Sequence, residues 1–373
     1  MKMNKFFLLF VLFSMGLNSV FALSSGARVS LITQLPGDEL YAYFGHTAIR
    51  IKDDSLGIDK VYNYGTFDFN TPNFYTKFIR GDLDYCLSID DFHYFVYFSE
   101  QTKRKIYEQL LDLTPQEKEN IYHLLEEYYN SEKRYYRYDF LKNNCATKIK
   151  DVLELATNRR IDFEKSNFNG KTFRQLLKPY VEKDYWINFG INLGMGLVTD
   201  QKASPSDYMF LPDYLYLFFN ASDLLLEENV IMDAFPNSSI NIFSYLSPWL
   251  ILLIIVLLTV FNKTRKFTYY LVCVVFGLTG IFLLALGLYS LHPAIGNNLN
   301  IIWTFPAFLG IILKNKYREY FKFSYAILII LISLNWFWFP QELSLTFIPW
   351  FIMIIIVMLI NTDFKVLKIF SKS

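Results

Sequence analysis

The chain has 373 residues and a formal net charge of +1. The length allows two ordinary domains, and the charge offers no basic field for nucleic acid. Hydrophobic residues make up 53%, above the usual soluble range, and the excess lies after about residue 239; before that point the chain is charged and rich in tyrosine.

Three cysteines are too few and too scattered for a disulfide scaffold. Four histidines, with no CxxC or HExxH spacing, argue against a metal site. No cofactor is expected either. Gly194-Met195-Gly196 lacks the third glycine and the βαβ setting of a dinucleotide fingerprint.

Residues 1–22 read as a secretory signal peptide. Lys2 and Lys5 give the charged start, an apolar run comes next, and Val20-Phe21-Ala22 ends on a small residue suited to cleavage. The competing reading is an uncleaved anchor; in both, the domain after residue 22 is delivered across a membrane. Residues 28–33 read as a strand and Pro36-Gly37-Asp38-Glu39 as a turn. A second strand, 43–51, carries His46. Residues 52–57 form a polar loop, and 60–69 an alternating, aromatic third strand with Asn63. Further strands are expected up to about Phe98, one of them over 83–89, with His93 structural among aromatics.

Thr114-Pro115-Gln116-Glu117 opens a helix: Thr114 caps, Pro115 takes the first position and Glu117 completes a capping box. Ile121, Leu124, Leu125 and Tyr128 form its apolar stripe, leaving His123 in solvent. A second helix start is Asn143-Asn144-Cys145, with Asn a preferred N-cap and Ile149, Val152 and Leu153 following at helical spacing. Cys145 therefore sits in the first turn, on the inward stripe. The helix dipole there is expected to lower its pKa and favour the thiolate. The competing reading is a buried cysteine acting as a small hydrophobe. Residues 160–235 hold further short helices. The apolar, aromatic segment 208–219 is either buried core or a surface resting on the membrane.

From about residue 240 the chain reads as membrane protein, with five candidate spans near 242–261, 267–290, 298–313, 323–339 and 344–360. The third is short and contains Pro306. Lys263, Arg265 and Lys266 follow the first span; Lys314, Lys316, Arg318 and Lys322 the third; Lys365, Lys368 and Lys372 the fifth. The loops near His292 and Glu342 carry no Lys or Arg. The positive-inside rule puts the basic segments in the cytoplasm and the first domain outside. The expected organisation is a signal peptide (1–22), a periplasmic Cys–His domain (23–239), a membrane domain of about five helices (240–362) and a cytoplasmic tail (363–373), multi-pass in the inner membrane.

His46 and Cys145 suit acyl transfer. A histidine takes the thiol proton, the thiolate attacks a carbonyl, and helix-start N–H groups hold the oxyanion. A third polar group orients the imidazole, and Asn63 on the next strand is the candidate. The competing reading makes His46 a satisfied strand histidine. His292, in an outward loop, is either a membrane-side contributor to function or a cap on a helix end.

His-Thr-Ala-Ile-Arg-Ile, Val-Tyr-Asn and Asn-Cys-Ala-Thr-Lys-Ile resemble the circularly permuted papain-like fold of lecithin:retinol acyltransferase-like enzymes and NlpC/P60 relatives. A closer resemblance spans nearly the whole chain. Phe44-Gly45-His46-Thr47-Ala48-Ile49-Arg50, Tyr62-Asn63-Tyr64-Gly65-Thr66-Phe67, Tyr138-Asp139-Phe140, Asn143-Asn144-Cys145-Ala146-Thr147 and Phe210-Leu211-Pro212-Asp213 are similar to the DUF4105 (Lnb) family of the Bacteroidetes. So are the C-terminal spans, with His292-Pro293 and Asn298-Leu299-Asn300.

The resemblance implies an α+β, permuted papain-like periplasmic domain followed by a helical membrane bundle. It implies a cysteine-dependent acyltransferase that moves a chain from a phospholipid to the α-amino group of a lipoprotein's diacylglyceryl cysteine. Cys145 would be the nucleophile, His46 the base and Asn63 the orienter, a place where the acyltransferases often carry a second histidine. Two other readings compete. One is an NlpC/P60-like peptidoglycan peptidase or amidase, which would not need five spans. The other is a non-catalytic membrane assembly protein with a Cys86–Cys145 disulfide.

Overall fold

The computed structural model describes residues 23–159, 161–234 and 240–364. The expected signal peptide, and most of the expected tail, lie outside the described residues.

Alternating β-branched and aromatic residues build an antiparallel sheet of seven strands: β1 (Arg28–Gln34), β2 (His46–Asp53), β3 (Ile58–Thr66), β4 (Asp84–Asp91), β5 (Ile106–Leu111), β6 (Tyr135–Arg137) and β7 (Leu225–Met232). Their spatial order is β6-β4-β3-β2-β1-β5-β7. Antiparallel pairing leaves successive side chains on opposite faces. Val29, Leu31, Ile49, Ile51, Tyr62 and Tyr64 line the main core, while Ile32, Ala48, Val61 and Ile106 line a smaller one on the other side.

Four helices belong to the first part of the chain: α1 (Phe74–Arg80), α2 (Phe92–Gln101), α3 (Pro115–Tyr129) and α4 (Cys145–Thr157). Helix α3 starts on the expected capping box, with Thr114 Oγ1 accepting from Glu117 N at 3.3 Å and Glu117 Oε2 accepting from Thr114 N at 2.9 Å. Helix α4 packs against both α3 and the sheet. Residues 92–98, expected to continue the strands, are helical instead. Phe92, Phe95 and Val96 pack on the smaller core and Ser99 is fully buried there. These positions repeat at helical spacing, which the density of aromatics hid. His93 is exposed at the start of that helix. Strands β5 and β7, which extend the sheet beyond β1, were not foreseen.

Helices α5 (Phe173–Val181), α6 (Tyr185–Gly194), α7 (Pro205–Tyr208) and α8 (Pro212–Asn220) complete this half. Of the two readings for 208–219, burial is the correct one: Tyr208, Met209, Phe210, Leu211, Leu215 and Phe219 all lie in the main core.

The second half is helical. α9 (Ile242–Val260) and α10 (Asn262–Tyr289) are long and apolar enough to cross a membrane. α11 (Ile301–Ile312), α12 (Asn315–Leu334) and α13 (Leu345–Asn361) come after them. α11 is broken by a 3₁₀ turn at Phe305–Phe308, where Pro306 removes a donor. Trp303, Phe276, Tyr325 and Phe351 sit in a second core, which Tyr185 of α6 joins. Basic residues at one end cap helices. Arg265 donates to the carbonyls of Thr259 (3.2 Å) and Val260 (3.1 Å), Arg318 to Leu313 (2.8 Å), and Lys322 to Asn361 (2.7 Å).

The opposite end meets the sheet domain. Asn298 Nδ2 donates to the carbonyls of Leu193 (2.7 Å) and Gly194 (3.0 Å), closing the C-terminus of α6. Gln341 Nε2 donates to Met195 O at 3.1 Å. Gly196 N donates to Ala294 O at 2.9 Å, and a Cβ on Gly196 would overlap the Gly296 carbonyl. The Gly-Met-Gly stretch thus serves a close backbone approach between the two halves.

Candidate active site

Helix α4 begins where the sequence places it, and its start is over-determined. Asn144 Oδ1 accepts from the N–H groups of Ala146 (3.0 Å) and Thr147 (3.1 Å), and Asn144 N donates to Thr147 Oγ1 at 2.8 Å. Asn144 Nδ2 donates to the carbonyls of Phe140 (2.8 Å) and Phe210 (2.7 Å). An N-cap held on both sides fixes the first turn, and Cys145 with it. Phe210 belongs to the Phe-Leu-Pro-Asp stretch, whose Pro212 packs beside Gly45, just before His46. One short motif therefore braces both the cysteine and the histidine.

Pairing between β2 and β3 runs from Asp53↔Ile58 to Ile49↔Tyr62, and β3 bulges between Asn63 and Thr66. Beyond that point the two strands no longer pair, and the start of α4 faces the opening. The backbone N–H groups of Thr47, Ala146 and Cys145 itself favour the charged form of the Cys145 thiol. Gly65, at φ +90, lies against Cys145 on the other strand; a Cβ there would stand 3.7 Å from that of the cysteine. Thr47 Oγ1 and Tyr64 Oη are buried without a hydrogen-bond partner among the described residues. They are polar atoms that a substrate could satisfy.

His46 Nε2 lies 3.1 Å from Asn63 Oδ1. The asparagine amide is itself oriented, since its Nδ2 donates to Asp90 Oδ2 at 2.8 Å. Oδ1 must then accept, so Nε2 carries the proton and Nδ1 keeps its lone pair as the basic atom. By the alternation of β2 and β3, His46 and Asn63 share the face of Ala48 and Val61, opposite the main core on which Cys145 packs. No hydrogen bond joins His46 to the thiol; Thr47, the residue after His46, is the one whose N–H acts on Cys145.

Arg104 is the residue that sequence reasoning missed. It precedes β5, is only 4% exposed, and donates from Nε to Leu35 O at 2.9 Å. Burial pulls its own pKa down to about 10, and it forms no ion pair among the described residues. Its charge acts on both His46 and Cys145. Burial first, and Arg104 second, lower the His46 pKa from its ordinary 6.5 to about 4, against the bond from Asn63.

The expected depression of the Cys145 pKa does not hold. Burial pushes the thiol up, and this outweighs the three N–H groups and Arg104. Both shifts favour the neutral forms, a thiol and an imidazole, over an ion pair.

The other sequence candidates lie elsewhere. His292 Nε2 donates to Phe78 O at 2.9 Å, at the end of α1. His123 pairs with Glu119 at 2.6 Å on α3. Cys86, Cys145 and Cys273 are all free, so a Cys86–Cys145 bridge is not formed. Among the described residues no cluster of His, Cys, Asp or Glu could hold a metal ion.

Residues 21–179 match the family model described as the Lnb N-terminal periplasmic domain, and residues 237–368 the one described as the Lnb transmembrane domain. No curated protein and no solved structure matches the chain.

Proposed function

Because the chain belongs to the Lnb family, a membrane protein with a periplasmic domain and a lipoprotein-processing role, we propose that it is a lipoprotein N-acyltransferase working through Cys145. The donor is a phospholipid and the acceptor is the α-amino group of a lipoprotein's N-terminal diacylglyceryl cysteine. The protein sits in the inner membrane and crosses it five times, with its basic helix ends inside.

His46 Nδ1 takes the Cys145 proton as the sulfur attacks the donor's ester carbonyl. The C–O bond breaks, the lysophospholipid leaves with the proton from His46, and the acyl chain stays on sulfur as a thioester. The lipoprotein amine then attacks the thioester. Its proton passes through His46 back to the departing sulfur, which restores the thiol and forms an amide. Asn63 keeps the imidazole in the right tautomer, and Asp90 keeps Asn63 facing it. The helix-start N–H groups are suited to the oxyanion.

The observation that carries this reading is the imidazole locked with Nε2 on Asn63, together with a buried thiol at a helix start whose charged form three backbone N–H groups favour. The chain order, with the base-bearing strand before the nucleophile's helix, is also that expected of a permuted papain-like domain. A membrane tether favours the reaction, since both substrates are lipid-anchored and meet the enzyme at high effective concentration. Mass spectrometry of a model lipoprotein's N-terminal peptide tests the reading. Its mass should rise by one acyl chain with this protein and stay unchanged with Cys145→Ala.

A further inference from the structure

Helix α1 presents its apolar side outward. Tyr75 is 76% exposed, Phe78 45% and Ile79 47%, while Phe74 is the buried residue. The three exposed residues stand at i, i+3 and i+4, so they share one face. A seven-residue helix is too short to persist alone, and water gives that face no reason to point outward.

The outward end of the transmembrane helix α10 is similar. Leu288 is 80% exposed and Leu291, just beyond it, 60%. The chain ties these two surfaces together. Leu291 N donates to Arg80 O (2.6 Å), Ser290 Oγ to Ile79 O (3.0 Å) and His292 Nε2 to Phe78 O (2.9 Å). The last carbonyls of α1 are thus capped by the membrane half, and the ring of His292 packs on Gly81. The Arg80 guanidinium lies 5.2 Å from the centre of the Tyr289 ring and 3.4 Å from Asp82.

We propose that this face of α1, with the outward end of α10, is a lipid-docking surface: Tyr75, Phe78 and Ile79 sit at the boundary between headgroups and acyl chains of the outward leaflet. The occupant is lipid because the face continues the lipid-facing surface of a transmembrane helix. Tyr75 and Tyr289 fit the interfacial belt, and Lys77 and Arg80, in the last turn of α1, are cations suited to lipid phosphates.

Beneath the face, an aromatic row leads inward. Phe74 meets Phe67 at 5.6 Å, Phe67 meets Tyr85 at 5.2 Å, and Tyr85 stacks on Tyr138 at 4.3 Å between ring centres. Tyr138 and Cys145 both border Gly65. The surface that docks on lipid is therefore continuous with the surroundings of the thiol. His292, one of the two readings of which was a helix cap, closes α1 and holds that surface at the membrane.

Spin labels test the proposal on the full chain in nanodiscs of phosphatidylethanolamine and phosphatidylglycerol, with Cys86, Cys145 and Cys273 replaced by Ala. Labels at Tyr75→Cys and at Ile79→Cys should relax more with oxygen than with an aqueous nickel chelate, as a label at Leu288→Cys should. A label at Leu155→Cys, on the exposed side of α4, should show the reverse. Greater access to nickel at both α1 positions would overturn the proposal. Exclusion of both reagents with a frozen label would overturn it too, by showing a protein partner on the face. The readout needs no catalysis, so it stands even where the acyltransferase reading fails.

Discussion

Two buried thiols separate what burial does from what a site does. Cys145 and Cys273 are both free and both under 10% exposed. Cys273, on α10, lies inside the membrane half against Gly310 of α11 and Tyr269. The neighbouring Tyr269 hydroxyl donates to the Gly310 carbonyl at 2.9 Å. Cys145 instead lies at a helix start, where three backbone N–H groups and a guanidinium with no ion pair among the described residues favour its charged form. Burial makes a cysteine a packing residue; a place in the first turn of a capped helix, and a histidine held in one tautomer in the same domain, make Cys145 a candidate nucleophile.

The largest test of that contrast is paired removal. Cys145→Ala should cost about 10³-fold or more in N-acylation, the order seen when a nucleophile is lost. Cys273→Ala and Cys86→Ala should leave turnover near wild type and change at most thermal stability. Equal losses at Cys145 and Cys273 would erase the contrast. His46→Ala should fall about as far as a base removal does, roughly 10²–10⁴-fold. Asn63→Ala should lose less, and Asp90→Ala less again, because each acts one bond further from the proton.

A second test uses pH. With the thiol pushed up and His46 pulled down to about 4, the alkylation rate of Cys145 by iodoacetamide should climb steadily through about pH 8–9, where an unactivated thiol ionises. An ion pair would instead hold it level from about pH 6 upward. Arg104→Met should raise both pKa values, moving the alkylation curve further to high pH while Cys273 stays unchanged.

The smallest effect is on stability. The folded pKa of His46 lies below its unfolded 6.5, so between about pH 4 and 6.5 the unfolded chain binds the extra proton and stability rises with pH. Acidification across that window should cost up to about 3 kcal/mol, a cost that His46→Ala should not show. Urea titrations at neutral pH and about two units below it measure the difference.

The parts of this site that sequence exposes are those with a local signature. The Asn144 cap, the stripe after Cys145 and the strand around His46 each leave a pattern within a few turns of chain. Aromatic density covered the helix at 92–101, and strand β7, Leu-Leu-Glu-Glu-Asn-Val-Ile-Met, has no apolar–polar alternation to read. Arg104 was hidden for another reason. Between Lys103 and Lys105 it reads as one more solvated charge, and only the pairing of β1 with β5 carries it toward His46. The rise in the Cys145 pKa was equally out of reach, because the helix dipole is visible in sequence while the depth of burial is not.

The most direct measurement of the central claim is the mass of the Cys145 peptide after the purified protein meets phospholipid without a lipoprotein acceptor. The account predicts one acyl chain on Cys145, released by hydroxylamine and discharged when an acceptor with a free α-amino group is added. An unmodified Cys145 in a preparation that still N-acylates lipoprotein, or full activity in Cys145→Ala, would contradict it.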